Sequence, residues 1–112
     1  MKFLVMYQMP HQGLDEWLKK PEAERKAEEQ NMQTEWNEWM ASHQKVLLET
    51  AGVGKPKRIS SKGIEDARND LMMYSFIEAD SLESASALFE NHPHFGIPGG
   101  WIEVMKINKE IN

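Results

Sequence analysis

Hydrophobic side chains along this chain come in short runs separated by polar segments, and the runs predict alternating strands and helices. Phe3 to Tyr7 is a continuous apolar run that is too short for a helix and rich in β-forming residues. Leu71 to Ala79 and Trp101 to Ile107 carry large apolar residues in both of their alternating sets. We therefore predict three strands that are apolar on both faces, with 71–79 in the centre of the sheet.

Two segments have apolar residues at helical spacing. The first predicts a long helix, because large side chains recur every three or four residues in the stripe Met32, Trp36, Met40, His43 and Leu47. We expect this helix to end at Ala51-Gly52, where glycine suits a left-handed C-terminal cap. A second, shorter helix is predicted to begin at a capping box of Asp80 and Glu83 and to end before Pro93.

The polar segments predict loops and one weak strand. His11 to Glu29 mixes both charge signs densely, which is typical of a solvated loop and a short exposed helix. Lys57 to Ser61 has a single large apolar residue and leads into a turn at Lys62-Gly63, so we predict an edge strand there.

The predicted order is strand, helix, strand, strand, helix, strand. Because crossover connections are right-handed, both helices should lie on one face of the sheet. The predicted fold class is therefore α+β, a ferredoxin-like βαββαβ sandwich with a four-stranded antiparallel sheet and helices on one face. The other face of the sheet is also apolar, and no further segment is long enough to cover it. We expect a homodimer in which a second copy covers that face.

Composition narrows the function classes. The 112 residues fit one domain, 1–112, and 13 Lys+Arg against 18 Asp+Glu give a net charge of −5, which disfavours nucleic acid as a partner. The absence of cysteine excludes disulfides and thiolate metal sites, and we expect a cytoplasmic protein. No apolar run has the length of a signal peptide or a membrane-spanning helix, so we expect no membrane partner.

Several segments of the chain resemble the YCII-related (DGPF-domain) family. The resemblance rests on the opening Met1-Lys2-Phe3-Leu4-Val5, the strand-to-helix segment 77–85, the sequence His92-Pro93-His94, and Ile102-Glu103-Val104. It covers most of the chain outside 12–30. The Asp-Gly-Pro-Phe motif that names the family is absent, and the corresponding region reads Ser61-Lys62-Gly63-Ile64-Glu65-Asp66.

This resemblance implies a ferredoxin-like protomer that pairs into a dimeric α/β barrel. Related barrel families include isomerases, dehydrochlorinases and cofactor-free monooxygenases, so the resemblance implies a small-molecule site without specifying a reaction. Enzymatic YCII-type proteins are associated with a paired His and Asp, and no motif in this sequence matches that pair residue by residue.

Candidate catalytic residues follow from where polar groups interrupt the apolar pattern. His43 lies on the helical stripe, where a partly desolvated neutral imidazole could act as a base; a core histidine with a backbone partner fits the same pattern. Tyr7 or the carboxylate of Glu78 could orient a substrate, although a salt bridge explains Glu78 equally well. The first functional hypothesis is a cofactor-free proton-transfer enzyme of isomerase or lyase type.

The second hypothesis is a non-catalytic module that binds a small ligand. Eight Met and four Trp supply adaptable and flat apolar side chains, and the residues we expect to line a pocket are Trp36, Met40, Trp101 and His94. His92 and His94 provide two imidazoles, but catalytic zinc needs about three protein ligands, so no metal site is predicted. No cofactor is predicted either.

Overall fold

The computed structural model describes residues 1–109 and contains two sheets, three α-helices and one 3₁₀-helix (Pro93–Gly96). In chain order, the strands and α-helices are β1 (Lys2–Gln8), α1 (His11–Leu18), α2 (Glu22–Ser42), β2 (Leu47–Gly52), β3 (Lys57–Ser60), β4 (Gly63–Asp66), β5 (Leu71–Glu78), α3 (Leu82–Ala87) and β6 (Trp101–Lys106).

The main sheet has four antiparallel strands in the order β2-β5-β1-β6. Helix α2 crosses from β1 to β2, and α3 crosses from β5 to β6, so the sheet strands and crossover helices follow the βαββαβ order. The predicted α+β, ferredoxin-like fold is confirmed, including the central position of β5 beside β1. The arrangement places residues 70–78 next to both β1 and β2.

The core lies between the sheet and the two crossover helices. Along β1, Phe3, Val5 and Tyr7 are buried, while the residues between them are only half-buried. Ile77 continues this buried face on β5, and α2, α3 and the turn after α3 cover it with Trp36, Ala85 and Phe89. Successive side chains of each strand therefore point alternately to the face that the helices cover and to the opposite face, which we call the open face.

The predicted length of the long helix is wrong. Helix α2 ends at Ser42, and residues 47–52 form the edge strand β2 instead of the last helical turns. The apolar stripe continues through Leu47 at helical spacing, but Leu47 pairs with Ile77 on β5. Long-range pairing with β5 satisfies the backbone of this segment, and local periodicity cannot register such a partner.

Two further expectations need correction. Residues 57–60 are not part of the main sheet, since β3 pairs only with β4 in a separate two-stranded hairpin. The predicted turn is present, and Gly63 has a φ of 121°, which favours glycine. The capping box of α3 uses Ser81 and Ser84 instead of Asp80 and Glu83: the Ser81 hydroxyl accepts from the Ser84 backbone N–H at 3.0 Å.

The open face of the main sheet is covered by no element of the described chain. It presents mostly apolar, partly exposed side chains from β1, β5 and β6: Leu4, Met6, Met72, Tyr74, Phe76, Trp101 and Met105. Within residues 1–109, no helix combines the length and the apolar character that crossing a membrane requires.

Candidate functional site

Six ring-bearing side chains pack together between the sheet and the helices. We call them the aromatic cluster: Tyr7, Trp36, Trp39, Phe89, His92 and His94. Centroids of neighbouring rings in the cluster lie 4.5 to 6.4 Å apart, in mostly edge-to-face or tilted arrangements. The cluster unites three residues that the sequence had nominated separately, namely Tyr7, Trp36 and His94.

His92 is the most unusual member of the cluster, because one of its ring nitrogens is buried without a partner. Its Nδ1 accepts the backbone N–H of His94 at 2.9 Å and caps the 3₁₀-helix. A neutral imidazole that accepts at Nδ1 carries its proton on Nε2. That Nε2 has no hydrogen-bond partner among residues 1–109, although it is fully buried.

Burial also fixes the charge state of this part of the cluster. Desolvation lowers the pKa of His92 to about 4, and the nearby imidazoles of His94 and His43 act in the same direction. Desolvation lowers the pKa of His94 as well, opposed by its hydrogen bond to the Gln8 carbonyl at 2.6 Å. Both imidazoles are therefore neutral near pH 7, and His92 presents an uncharged N–H donor.

Tyr7 begins a chain of three hydroxyl groups that crosses three neighbouring strands. Its hydroxyl lies 2.8 Å from Ser75 Oγ, which lies 2.7 Å from Thr50 Oγ1. Burial raises the pKa of Tyr7 to about 12, and the hydrogen bond with Ser75 only partly offsets this. Tyr7 therefore stays a neutral phenol and can orient an oxygen or donate a proton, but it cannot serve as a resting base.

His43 lies at the C-terminal cap of α2, not on a helical face between Met40 and Leu47 as expected. Its ring stacks on Trp39 with centroids 4.0 Å apart. Its Nδ1 lies 2.7 Å from the Trp39 carbonyl oxygen, which can only accept, so Nδ1 carries the proton. In the neutral ring this leaves the lone pair of Nε2 free to act as a base.

The structure does not bring the other predicted site residues into the cluster. Met40 packs at the edge of the same core. Trp101 lies on the open face, where its Nε1 donates to Glu103 Oε2 at 2.8 Å. Glu78 lies at the end of β5, is exposed, and pairs with the amino group of Met1 at 3.3 Å. The predicted trio of His43, Tyr7 and Glu78 is therefore not assembled in one place.

An open cleft of about 530 Å³ borders the aromatic cluster. Its lining comes from α3, the following turn, the 3₁₀-helix and β6: Ser86, Phe89, Glu90, Asn91, Phe95, Ile102 and Val104. Phe89 belongs to both the cleft and the cluster, and its ring lies 5.8 Å from His92 and 5.1 Å from Trp39. A second cleft of about 340 Å³ lies near Met1 and Glu78, and His43 is not in the lining of either.

Sequence reasoning missed a His–Asp pair at the end of β1. His11 Nδ1 lies 2.7 Å from Asp70 Oδ1, and the same oxygen accepts the His11 backbone N–H at 3.0 Å. The side-chain hydrogen bond from His11 lowers the pKa of Asp70. These residues are 59 positions apart, so only the pairing of β1 with β5 brings them together. His92 enters the sequence analysis only as one of two neighbouring imidazoles and not as a site residue, and the one signal that distinguishes it is its place before Pro93.

No metal centre is apparent in the part of the chain that the structure describes. Among residues 1–109, no three His, Cys, Asp or Glu side chains are grouped so that they could hold an ion. The His92 Nδ1 and His94 Nε2 atoms are both engaged in hydrogen bonds with the backbone, so neither nitrogen is free to bind a metal ion.

Comparison with known proteins supports the fold. No protein-family model matches the chain, and no curated protein matches its sequence. Among solved structures, the chain is similar to 5-chloro-2-hydroxyhydroquinone dehydrochlorinase (TftG) from Burkholderia phenoliruptrix AC1100, solved in complex with 2,5-dihydroxybenzoquinone. The similarity has a TM-score of 0.59 at 12% sequence identity and covers 98% of this chain and 96% of that one. At this identity the likeness extends to the ferredoxin-like fold and no further.

Proposed function

We propose that this protein binds a small ring compound with oxygen substituents at the aromatic cluster and moves a proton on it without a cofactor. The observation that carries the proposal is the buried, unpartnered Nε2–H of His92. Leaving such a donor unsatisfied costs about 1–3 kcal/mol, so an oxygen atom that fills this position gains a ready-made hydrogen bond. The flanking rings of Trp36 and Trp39 favour a flat apolar molecule.

Access to His92 from the cleft requires a movement of Phe89, which lines the cleft and whose ring centroid lies 5.8 Å from that of the histidine. Phe89 lies in the turn after α3, close to Asn91, which adopts a left-handed φ of 60°. A ligand entering the cleft would displace this ring and take its place against Trp39. The cleft is thus the entrance, and the aromatic cluster is the binding site.

The two histidines beside Trp39 divide the proposed chemistry. His43 Nε2 removes a proton from a saturated ring carbon next to a carbonyl group, a C=C bond forms between that carbon and the carbonyl carbon, and the electron pair of the C=O bond moves onto its oxygen. The neutral His92 Nε2–H donates a hydrogen bond to the oxygen as negative charge develops there. Return of the proton at another carbon completes an isomerisation, and departure of an anionic leaving group instead completes an elimination.

Two likenesses support this class of ligand. TftG is named as a dehydrochlorinase, and its substrate and bound molecule are oxygenated six-membered rings. The resemblance of the sequence to YCII-related proteins supports a small-molecule site in the same way. Neither likeness identifies the substrate of this protein.

A non-catalytic binding module is the second candidate function. It is favoured by one observation, namely that His43 lines neither cleft. In that case the aromatic cluster would hold the same kind of ligand, and no group would remove a proton.

One pair of measurements tests the proposal, with 2,5-dihydroxybenzoquinone as the probe. Calorimetry measures its affinity, and NMR in D₂O measures exchange of its ring hydrogens. Exchange requires a deuteron to add to the ring carbon, which gives the keto form, and His43 then removes the original proton from that saturated carbon. We expect His92→Asn to weaken binding at least about tenfold, since asparagine keeps the cap on the His94 N–H but cannot reach the cluster. We expect His43→Gln to bind the probe and to lose the accelerated exchange.

Three other results would each change the proposed function. If the wild-type protein binds the probe but does not accelerate exchange, the binding module is the correct function. His11→Gln is the matched histidine substitution outside the cluster; if it stops exchange and His43→Gln does not, the base is His11 of the His–Asp pair. Equal binding by wild type and His92→Asn would overturn the site itself.

We further propose that the protein is a homodimer that buries the open face of the sheet. Large, contiguous apolar patches are uncommon on monomers, and a two-fold pairing would cover the same face on both copies at once. Sedimentation at micromolar concentration should then give twice the chain mass of 13.0 kDa. A mass of one chain under those conditions would overturn the dimer.

A further inference from the structure

The hairpin formed by β3 and β4 stands apart from the rest of the protein. Its strands pair only with each other, and every residue from 57 to 66 is exposed. Ile59 and Ile64 lie directly opposite each other and are 76% and 71% exposed. Paired residues point to the same side of a hairpin, so Ile59 and Ile64 form an exposed apolar pair on one face, beside the ion pair of Lys57 and Asp66.

This hairpin lacks the packing that normally stabilises such an element. A single two-stranded hairpin is marginally stable at best in water without a hydrophobic surface to pack on. The cross-strand pairs Lys57–Asp66 and Arg58–Glu65 are exposed, and exposed ion pairs add little. The radius of gyration is 15.8 Å, against roughly 13 Å for a compact domain of this length, which agrees with a projecting element.

The position of the hairpin indicates which surface it meets. It lies in the chain between β2 and β5, the two neighbouring strands at one side of the open sheet face, and a link of four residues joins it to each of them (53–56 and 67–70). The links continue the pairing of these strands, because the Val53 N–H donates to the Met72 carbonyl of β5 at 3.0 Å and the Ala67 N–H donates to the Pro56 carbonyl at 3.2 Å, so the hairpin extends from the end of the β2–β5 pair. A second copy seated on the open face would therefore lie beside the hairpin, and two-fold symmetry would place each hairpin against the other copy.

We infer that the β3–β4 hairpin is an arm that packs on the second copy of this chain, with Ile59 and Ile64 buried against it. The inference rests on the proposed homodimer and extends its interface beyond the open sheet face. Two β-branched side chains at the edge of an already apolar interface increase the area that each copy buries. The arm in turn gains the packing that it lacks in one chain.

The test compares two double variants that differ in the face of the hairpin they change. Ile59→Thr/Ile64→Thr removes the apolar pair and keeps β-branched residues in both strands. Arg58→Thr/Glu65→Thr is the matched control, because it changes the opposite face and leaves the net charge unaltered. Sedimentation and dilution measure the dimer dissociation constant, and hydrogen exchange measures protection of amides 57–66.

We expect the isoleucine variant to raise the dimer dissociation constant by about tenfold or more, and the control to change it by less than about threefold. Amides 57–66 should be protected in the wild-type dimer and exchange faster in the isoleucine variant. A wild-type dimer whose dissociation constant is unchanged in the isoleucine variant would overturn the arm alone. If the wild-type protein is monomeric up to about 100 µM, a concentration at which even a weak dimer would form, both the dimer and the arm are overturned.

Discussion

Along β1, Phe3 and Val5 point toward the helices and are fully buried, whereas Leu4 and Met6 point to the opposite side and stay partly exposed. All four side chains are apolar, so polarity does not explain the difference. The difference arises because α2 and α3 both pack on the face that holds Phe3 and Val5. The covered face holds the core and the aromatic cluster, and the open face holds a surface of the same chemistry that is free for a partner.

The largest contrast between the faces should appear when a buried ring is truncated. Phe3→Ala removes a fully buried side chain at the centre of the core, and we expect the free energy of unfolding to fall by about 3–5 kcal/mol. Leu4→Ala on the open face is the matched control and should lower monomer stability by less than about 1 kcal/mol. Urea unfolding of both variants, at a protein concentration low enough to keep the chain monomeric, measures this; equal losses would mean that the open face is as tightly packed as the covered one.

Acid should destabilise the covered face selectively. The pKa of His92 is about 4 in the folded protein and near 6.5 when unfolded, so the unfolded state binds the extra proton between these values. The stabilising effect of neutral His92 is complete above pH 6.5, and it is lost as the pH falls toward 4, by up to about 3 kcal/mol. The lowered pKa of His94 acts in the same direction.

Urea unfolding at a series of pH values between 7 and 4 measures this loss. In His92→Asn the same series should show a clearly shallower decline, because one of the two buried imidazoles is gone. An unchanged slope in that variant would assign the acid sensitivity to other groups.

A charge on the open face should break the dimer without unfolding the chain. Met6 lies opposite Glu103 on the neighbouring strand, so Met6→Lys gains a favourable cross-strand partner in the monomer. In a face-to-face dimer the same ammonium group would be buried, and we expect association to weaken by at least about 2 kcal/mol, roughly thirtyfold. Light scattering with a circular dichroism control measures this; an intact dimer would place the interface elsewhere.

The smallest of these effects concerns a single hydroxyl on each face. Tyr7→Phe removes one member of the buried hydroxyl chain and should lower the free energy of unfolding by about 1 kcal/mol. Tyr74→Phe on the open face is the matched control and should stay within about 0.5 kcal/mol of wild type. Equal effects, measured by thermal unfolding, would show that the hydroxyl chain adds no stability to the covered face.

The sequence predicted the strands and turns that depend only on residues close together in the chain. Continuous apolar runs located β1, β5 and β6, because a strand buried in a sheet leaves few polar positions. Gly63 predicted the turn before β4. The apolar residues on both faces of the predicted strands indicated that one sheet face is left uncovered by the helices. For the site, the sequence nominated Tyr7, Trp36 and His94, which do meet in the aromatic cluster.

Tertiary structure decided what depends on distant partners. Leu47 continues a helical stripe, yet it lies in a strand because β5 is available to pair with it. His11 and Asp70 meet only because β1 and β5 are neighbours. His92 acquires its unpartnered Nε2 only because four rings from β1, α2 and the turn after α3 surround it. Sequence alone therefore determined local conformation and the amount of apolar surface, because these depend on side-chain type and spacing. The burial of particular polar groups and the exposure of one sheet face depend on chain segments that are far apart in sequence. Only the folded structure brings those segments together.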